Sequence, residues 1–97
     1  MALFVIERDF LEQLELSSEL IAAVEEYNGD AGLRWLFSFL SADRKKTYCL
    51  YEAPDADALH RQAEDLGLPA DAIVEVSEIN PAALTGGATV SAHPVRF

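Results

Sequence analysis

Cysteine and basic residues are scarce in this chain, and each scarcity removes a class of function. A single cysteine, Cys49, cannot form an intrachain disulfide, so nothing favours secretion and the expected location is the cytoplasm. Seven Lys and Arg stand against 17 Asp and Glu, a formal charge of −10 at pH 7. A surface of that sign repels phosphate backbones and anionic headgroups, so no nucleic acid and no membrane is expected as a partner, while cations are attracted. The apolar opening of MALFVIERDF meets Glu7 and Asp9 early and has no basic leader, so it reads neither as a spanning helix nor as a signal peptide. Gly86-Gly87 lacks the lysine and the strand-to-helix frame of a phosphate loop, and no serine sits in a nucleophile elbow.

What is present is apolar material in short periodic runs. With 51% hydrophobic residues in 97, the chain can bury one core and is read as one domain, small enough to gain from self-association. The most informative stretch is 33–54, LRWLFSFLSADRKKTYCLYEAP, two β-rich segments around a charged turn. Strict alternation puts Leu33, Trp35, Phe37 and Phe39 on one face, with Leu36 and Leu40 on the other. Folding about Asp43 and Arg44 sets Phe39 opposite Tyr48, Phe37 opposite Leu50, Trp35 opposite Glu52 and Leu36 against Tyr51.

Around this hairpin the pattern predicts a strand over 3–8 and an irregular stretch over 9–16. A helix follows from Ser17 or Ser18 to about Tyr27, stopped by Asn28-Gly29. A second helix over 56–66 is capped by Asp55 and closed by Gly67, and a last strand covers 72–76. The order β-α-β-β-α-β makes an α+β, ferredoxin-like fold: a four-stranded antiparallel sheet with two helices on one face, suited to a dimeric α+β barrel-type assembly. Strands one and three are expected side by side and parallel in its middle. Residues 1–79 form the domain; 80–97 read as a loop and tail, with a short strand at 88–91.

Two constellations carry chemistry. If strands one and three are parallel, Glu7 and Glu52 end at the same sheet edge, with Arg34 and Trp35 beside them and Arg8 and Asp9 following. The carboxylates can then shift each other's pKa or hold a cation, or form rim ion pairs of Arg34 with Glu52 or Arg8 with Glu7. On the second helix, Asp57, His60 and Glu64 are spaced i, i+3 and i+7. That spacing offers one nitrogen and two oxygen donors to nickel or zinc, although a solvated helix face has the same pattern. Cys49 has no histidine at a readable distance and is read as a core residue.

The blocks V-I-E-R-D-F, R-W-L-F-S-F, T-Y-C-L-Y-E-A-P-D-A-D-A and G-L-P-A-D-A-I-V-E-V resemble a family of small bacterial proteins. It is the domain-of-unknown-function family 4242, described through its nickel-responsive members. The resemblance runs over about 5–76 and implies a ferredoxin-like fold, a homodimer and a divalent metal ion such as nickel. Nickel-binding members are richer in histidine where this chain has Glu7, Arg8, Asp9 and Leu68, and carboxylates hold nickel more weakly than imidazole does. The sequence reading is therefore a cytoplasmic dimeric binding protein, with a divalent cation as ligand. A second reading is a cofactor-free enzyme acting on a small apolar molecule between sheet and helices, with Glu7, Trp35, Tyr51 and Glu52 around the pocket. A third is a structural subunit whose dimer face is its function.

Overall fold

Two caps and two left-handed glycines divide the chain into its helices. In the computed structural model, which describes residues 1–85, the elements are β1 (Ala2–Asp9), α1 (Ser18–Ala31), β2 (Arg34–Leu40), β3 (Lys46–Ala53), α2 (Ala56–Leu66), β4 (Ala72–Val76) and α3 (Pro81–Thr85). Ser17 Oγ accepts from Leu20 N at 3.0 Å to start α1, and Asp55 Oδ1 accepts from Ala58 N at 2.9 Å to start α2. Gly67 at φ 68° ends α2 as expected. α1, however, runs past Asn28-Gly29 to Gly32, at φ 73°. The extension follows from Asn28, which is 2% exposed and spends its side chain on core partners instead of on a helix stop.

The strands pair in the order β2-β3-β1-β4, every neighbour antiparallel, with the hairpin strand β2 and the strand β4 at the edges. This is the expected ferredoxin-like sheet. The expectation that β1 and β3 run parallel is wrong: Leu3 pairs Glu52 and Glu7 pairs Tyr48, in antiparallel register. The crossover through α1 makes β1 parallel to β2, and the hairpin then reverses β3 against both.

Register also corrects the faces of β2. Phe39 pairs Tyr48 and Phe37 pairs Leu50 as the alternation predicts, but Trp35 pairs Tyr51 instead of Glu52. A β-bulge between Trp35 and Phe37 leaves Leu36 as the extra residue, so Leu36 does not oppose Tyr51. Trp35 thereby turns to the helix-covered face, while Phe37 and Phe39 stay on the open one.

On the covered face, Phe4, Ile6, Cys49, Tyr51 and Ala53 pack with Ala58 and Leu59 of α2 to form the core. The open face presents Val5, Leu50 and Val74 with Phe37 and Phe39, the last two 51% and 65% exposed. The stretch read as a loop after β4 contains α3, begun by Asn80 Oδ1 accepting from Ala82 N at 3.1 Å. The strand expected at 88–91 lies outside the described residues.

Candidate functional site

The irregular stretch between β1 and α1 is fixed by the hairpin tip. Phe10 N donates to Lys45 O and Leu14 N to Arg44 O, each at 2.7 Å. Arg44 Nη2 returns a bond to Leu14 O at 3.2 Å. These bonds fix the loop whose Phe10, Leu14 and Leu16 line a pocket of ≈ 270 Å³ together with Leu20, Ile21 and Val24 of α1. The stripe on α1 arises from its i, i+1, i+4 spacing, which keeps the three side chains toward the sheet.

Sheet residues make the floor. Trp35 and Tyr51 lie parallel, ring centroids 6.2 Å apart and planes 3° from parallel, and Trp35 Nε1 donates to Ser38 Oγ at 2.8 Å. Were Leu36 paired in the ladder, Trp35 would share the face of Phe37; as the extra residue, Leu36 returns Trp35 to this one.

One end of the floor is polar and buried. Arg8, 3% exposed, donates from Nη1 to Pro69 O and from Nη2 to Gln62 Oε1, both at 2.8 Å. Gln62, wholly buried, donates from Nε2 to the Tyr51 hydroxyl and to Asn28 Oδ1, also at 2.8 Å. Asn28 Nδ2 adds bonds to Tyr51 Oη at 3.4 Å and Glu25 Oε1 at 3.2 Å. Burial pushes the Tyr51 phenol above its ordinary 10.0, although the two amide donors and the charge of Arg8 pull against that rise.

The structure thus gathers Arg8, Trp35 and Tyr51 from the sequence candidates and leaves the rest elsewhere. Glu7 and Glu52 do not meet. Both lie on the open face, but at positions four residues apart along β1, about 13 Å at the rise of a strand. Each has its own cation: Lys46 Nζ lies 2.9 Å from Glu7, and Arg34 Nη1 lies 3.3 Å from Glu52. The rim pair of Arg34 with Glu52 is therefore real, whereas Arg8 turns away from Glu7 to the opposite face. The pocket read as lined by Glu7, Trp35, Tyr51 and Glu52 keeps only its two aromatics. Asp9 closes β1 through its backbone N–H, which donates to Asp71 Oδ2 at 2.6 Å.

Asp57, His60 and Glu64 stand exposed on α2. Among the described residues, no three or more His, Cys, Asp or Glu side chains come together to hold a metal ion. Gln62 and Asn28, the two amides that organise the polar end, carried no sequence signal beyond one clue: Gln62 sits in the stripe of Leu59, Ala63 and Leu66, a polar residue at a core position.

No helix among the described residues is long and apolar enough to cross a membrane. No curated protein matches the chain. The crystal structure of SCO4226 from Streptomyces coelicolor A3(2) is similar, with a TM-score of 0.67 and 24% identity over 81% of this chain and 100% of that one. At that identity the likeness bears on the fold, which the two share. A family model described as nickel responsive protein SCO4226-like matches residues 4–76, three quarters of the length, and the chain belongs to that family.

Proposed function

We propose that this chain is a dimeric binding protein of the cytoplasm that takes a small, largely apolar molecule into the pocket beneath α1. The observation that carries the reading is the pocket itself, ≈ 270 Å³ between apolar walls with one polar end. Concave, mostly apolar sites with a few convergent polar groups are the usual form of small-ligand sites. Trp35, the lone tryptophan, lines it and reports its occupancy. Titrating the protein with 1-octanol should shift or quench Trp35 emission saturably, and native mass spectrometry should find octanol retained by the wild type and lost in Ile21→Trp, whose larger side chain fills the pocket. An unresponsive Trp35 and no retained octanol would end this reading.

Self-association through the open sheet face belongs to the same proposal. Phe37, Phe39 and Val74 are each at least half exposed there, flanked at opposite ends by Lys46 with Glu7 and Arg34 with Glu52. A second copy related by a two-fold axis offers this face an apolar centre and rim charges of both signs.

Nickel enters through the family's name. The donor set on α2 does not fit it: one exposed imidazole between two exposed carboxylates, with no third donor gathered from elsewhere among the described residues. No step of the proposed function is routed through a metal. A cofactor-free enzyme remains the alternative that Tyr51 favours, because its hydroxyl proton has no acceptor among the described residues and can be donated to a bound carbonyl.

A further inference from the structure

The interior of this acidic protein holds a cation that has no anion beside it among the described residues. Arg8 is 3% exposed, and its polar partners among the described residues are two neutral oxygens, Pro69 O and Gln62 Oε1. The ion pairs of those residues, Lys46 with Glu7 and Arg34 with Glu52, both lie across the sheet on the other face. A guanidinium presents five N–H donors and stays charged at any working pH. These two bonds use two of the five, no bond to the other three is formed among the described residues, and Arg8 is itself one of the residues that line the pocket. Beside it, Tyr51 accepts from Gln62 and Asn28, which leaves its own O–H free to donate. A buried charge is ordinarily paired, and an unpaired one facing an apolar cavity is what a site for an anionic headgroup looks like before it is filled.

We propose that the pocket receives a small amphipathic monocarboxylate, its carboxylate on Arg8 and the Tyr51 hydroxyl, its apolar body between Trp35 and the α1 residues Ile21 and Val24. This rests on the pocket reading above and names its ligand class. A carboxylate suits the site better than a phosphate ester for two reasons. Its two coplanar oxygens match the guanidinium fork, and its single charge is balanced by a single arginine. A phosphate ester near two negative charges would leave one uncompensated, inside a chain of net charge −10. Size sets the body: a cavity of about 150 Å³ takes benzene, so ≈ 270 Å³ takes one ring with a short side chain, or a medium aliphatic chain.

The test compares octanoate, 1-octanol and octyl phosphate on the intact chain at neutral pH, read by Trp35 emission and checked by native mass spectrometry. Octanoate should bind at least about tenfold more tightly than 1-octanol, the size expected of charge-assisted hydrogen bonds in a shielded site, and octyl phosphate should bind more weakly than octanoate. Arg8→Met should keep 1-octanol binding and lose the preference for octanoate; Arg8→Lys should retain part of it; Tyr51→Phe should weaken octanoate severalfold with little effect on 1-octanol. Equal affinity of the wild type for octanoate and 1-octanol overturns the carboxylate assignment while leaving the pocket reading standing, and this comparison needs no variant. Tightest binding of octyl phosphate overturns it as well. Binding of none of the three sinks the pocket reading and the ligand class together.

Discussion

Gln62 Nε2 donates to the Tyr51 hydroxyl over 2.8 Å, and this bond ties α2 to the central strand β3 inside the core. The same amide accepts from Arg8 and donates to Asn28, so one side chain satisfies groups from β1, β3 and α1. Gln62→Leu keeps the bulk and removes every one of these bonds. Leaving several buried polar groups one partner short should destabilise the fold by about 2–4 kcal/mol. Urea unfolding followed by Trp35 emission measures it, and a loss under about 1 kcal/mol would mean that water replaces the amide in the network.

Tyr51 gives the fold an alkaline limit. Its folded pKa is raised above 10.0, chiefly by burial, so the unfolded chain surrenders this proton first. The neutral phenol's contribution is therefore full below 10.0 and is lost as pH rises through the folded value. In a spectrophotometric phenol titration, the transition missing from Tyr51→Phe should be one centred above 10.0. The wild type should also lose stability more steeply than Tyr51→Phe as pH climbs through that window. A missing transition at or below 10.0 contradicts the buried environment assigned to this ring.

Much of the fold was legible because caps, glycines and period-two runs are local signals. Ser17, Asp55 and Gly67 act as their identities dictate. The misreadings share a different origin, in that each depended on a distant partner. Asn28 looks like a helix stop until Gln62 and Tyr51 claim its amide. The strand direction of β3 depends on composing a crossover with a hairpin, and with it falls the meeting of Glu7 and Glu52. Arg8, Trp35 and Tyr51 were visible as candidates, but the pocket that unites them needs the loop pinned by Lys45 and Arg44, two backbone bonds that no side-chain pattern encodes.

The bulge offers a direct trial of that lesson. Leu36 is the unpaired residue between Trp35, which faces Tyr51, and Phe37, which faces Leu50. Deleting Leu36 should convert β2 to a regular strand with both pairings kept, because the residue adds to the ladder without taking part in it. The deletion variant should fold with Trp35 still half-buried against Tyr51, at a stability cost of no more than about 1–3 kcal/mol. Replacing Leu36 by Gly should be milder still, since a bulge tolerates glycine. A Trp35 emission shifted fully to that of exposed indole in the deletion variant would show that Leu36 sets the register.

Nickel should distinguish a family property from a property of α2. Because Asp57, His60 and Glu64 are exposed and no three metal-binding side chains gather among the described residues, His60→Ala should leave the calorimetric response to nickel unchanged. Loss of binding in His60→Ala would instead identify α2 as a metal face and overturn the misfit argued from its donors.

The open face should make the protein a dimer. α1 and α2 cover one side of the sheet, and among the described residues the other side leaves Phe37, Phe39 and Val74 51%, 65% and 53% exposed with Tyr48 beside them. Burying this apolar cluster against a second copy is favourable by about 25 cal/mol per Å² removed from water, and it is set against a cost of association of roughly 4–15 kcal/mol. Light scattering at micromolar concentration should therefore report twice the 10.6 kDa chain mass. The bulge decides which substitution breaks the dimer: Phe37→Glu places a charge at the centre of the shared face, against a chain already at −10, and should yield a folded monomer. Trp35→Glu strikes the pocket on the other face and should impair folding or ligand uptake before it touches assembly. A wild-type monomer at that concentration, or a Phe37→Glu dimer, would show that the open face serves a different partner.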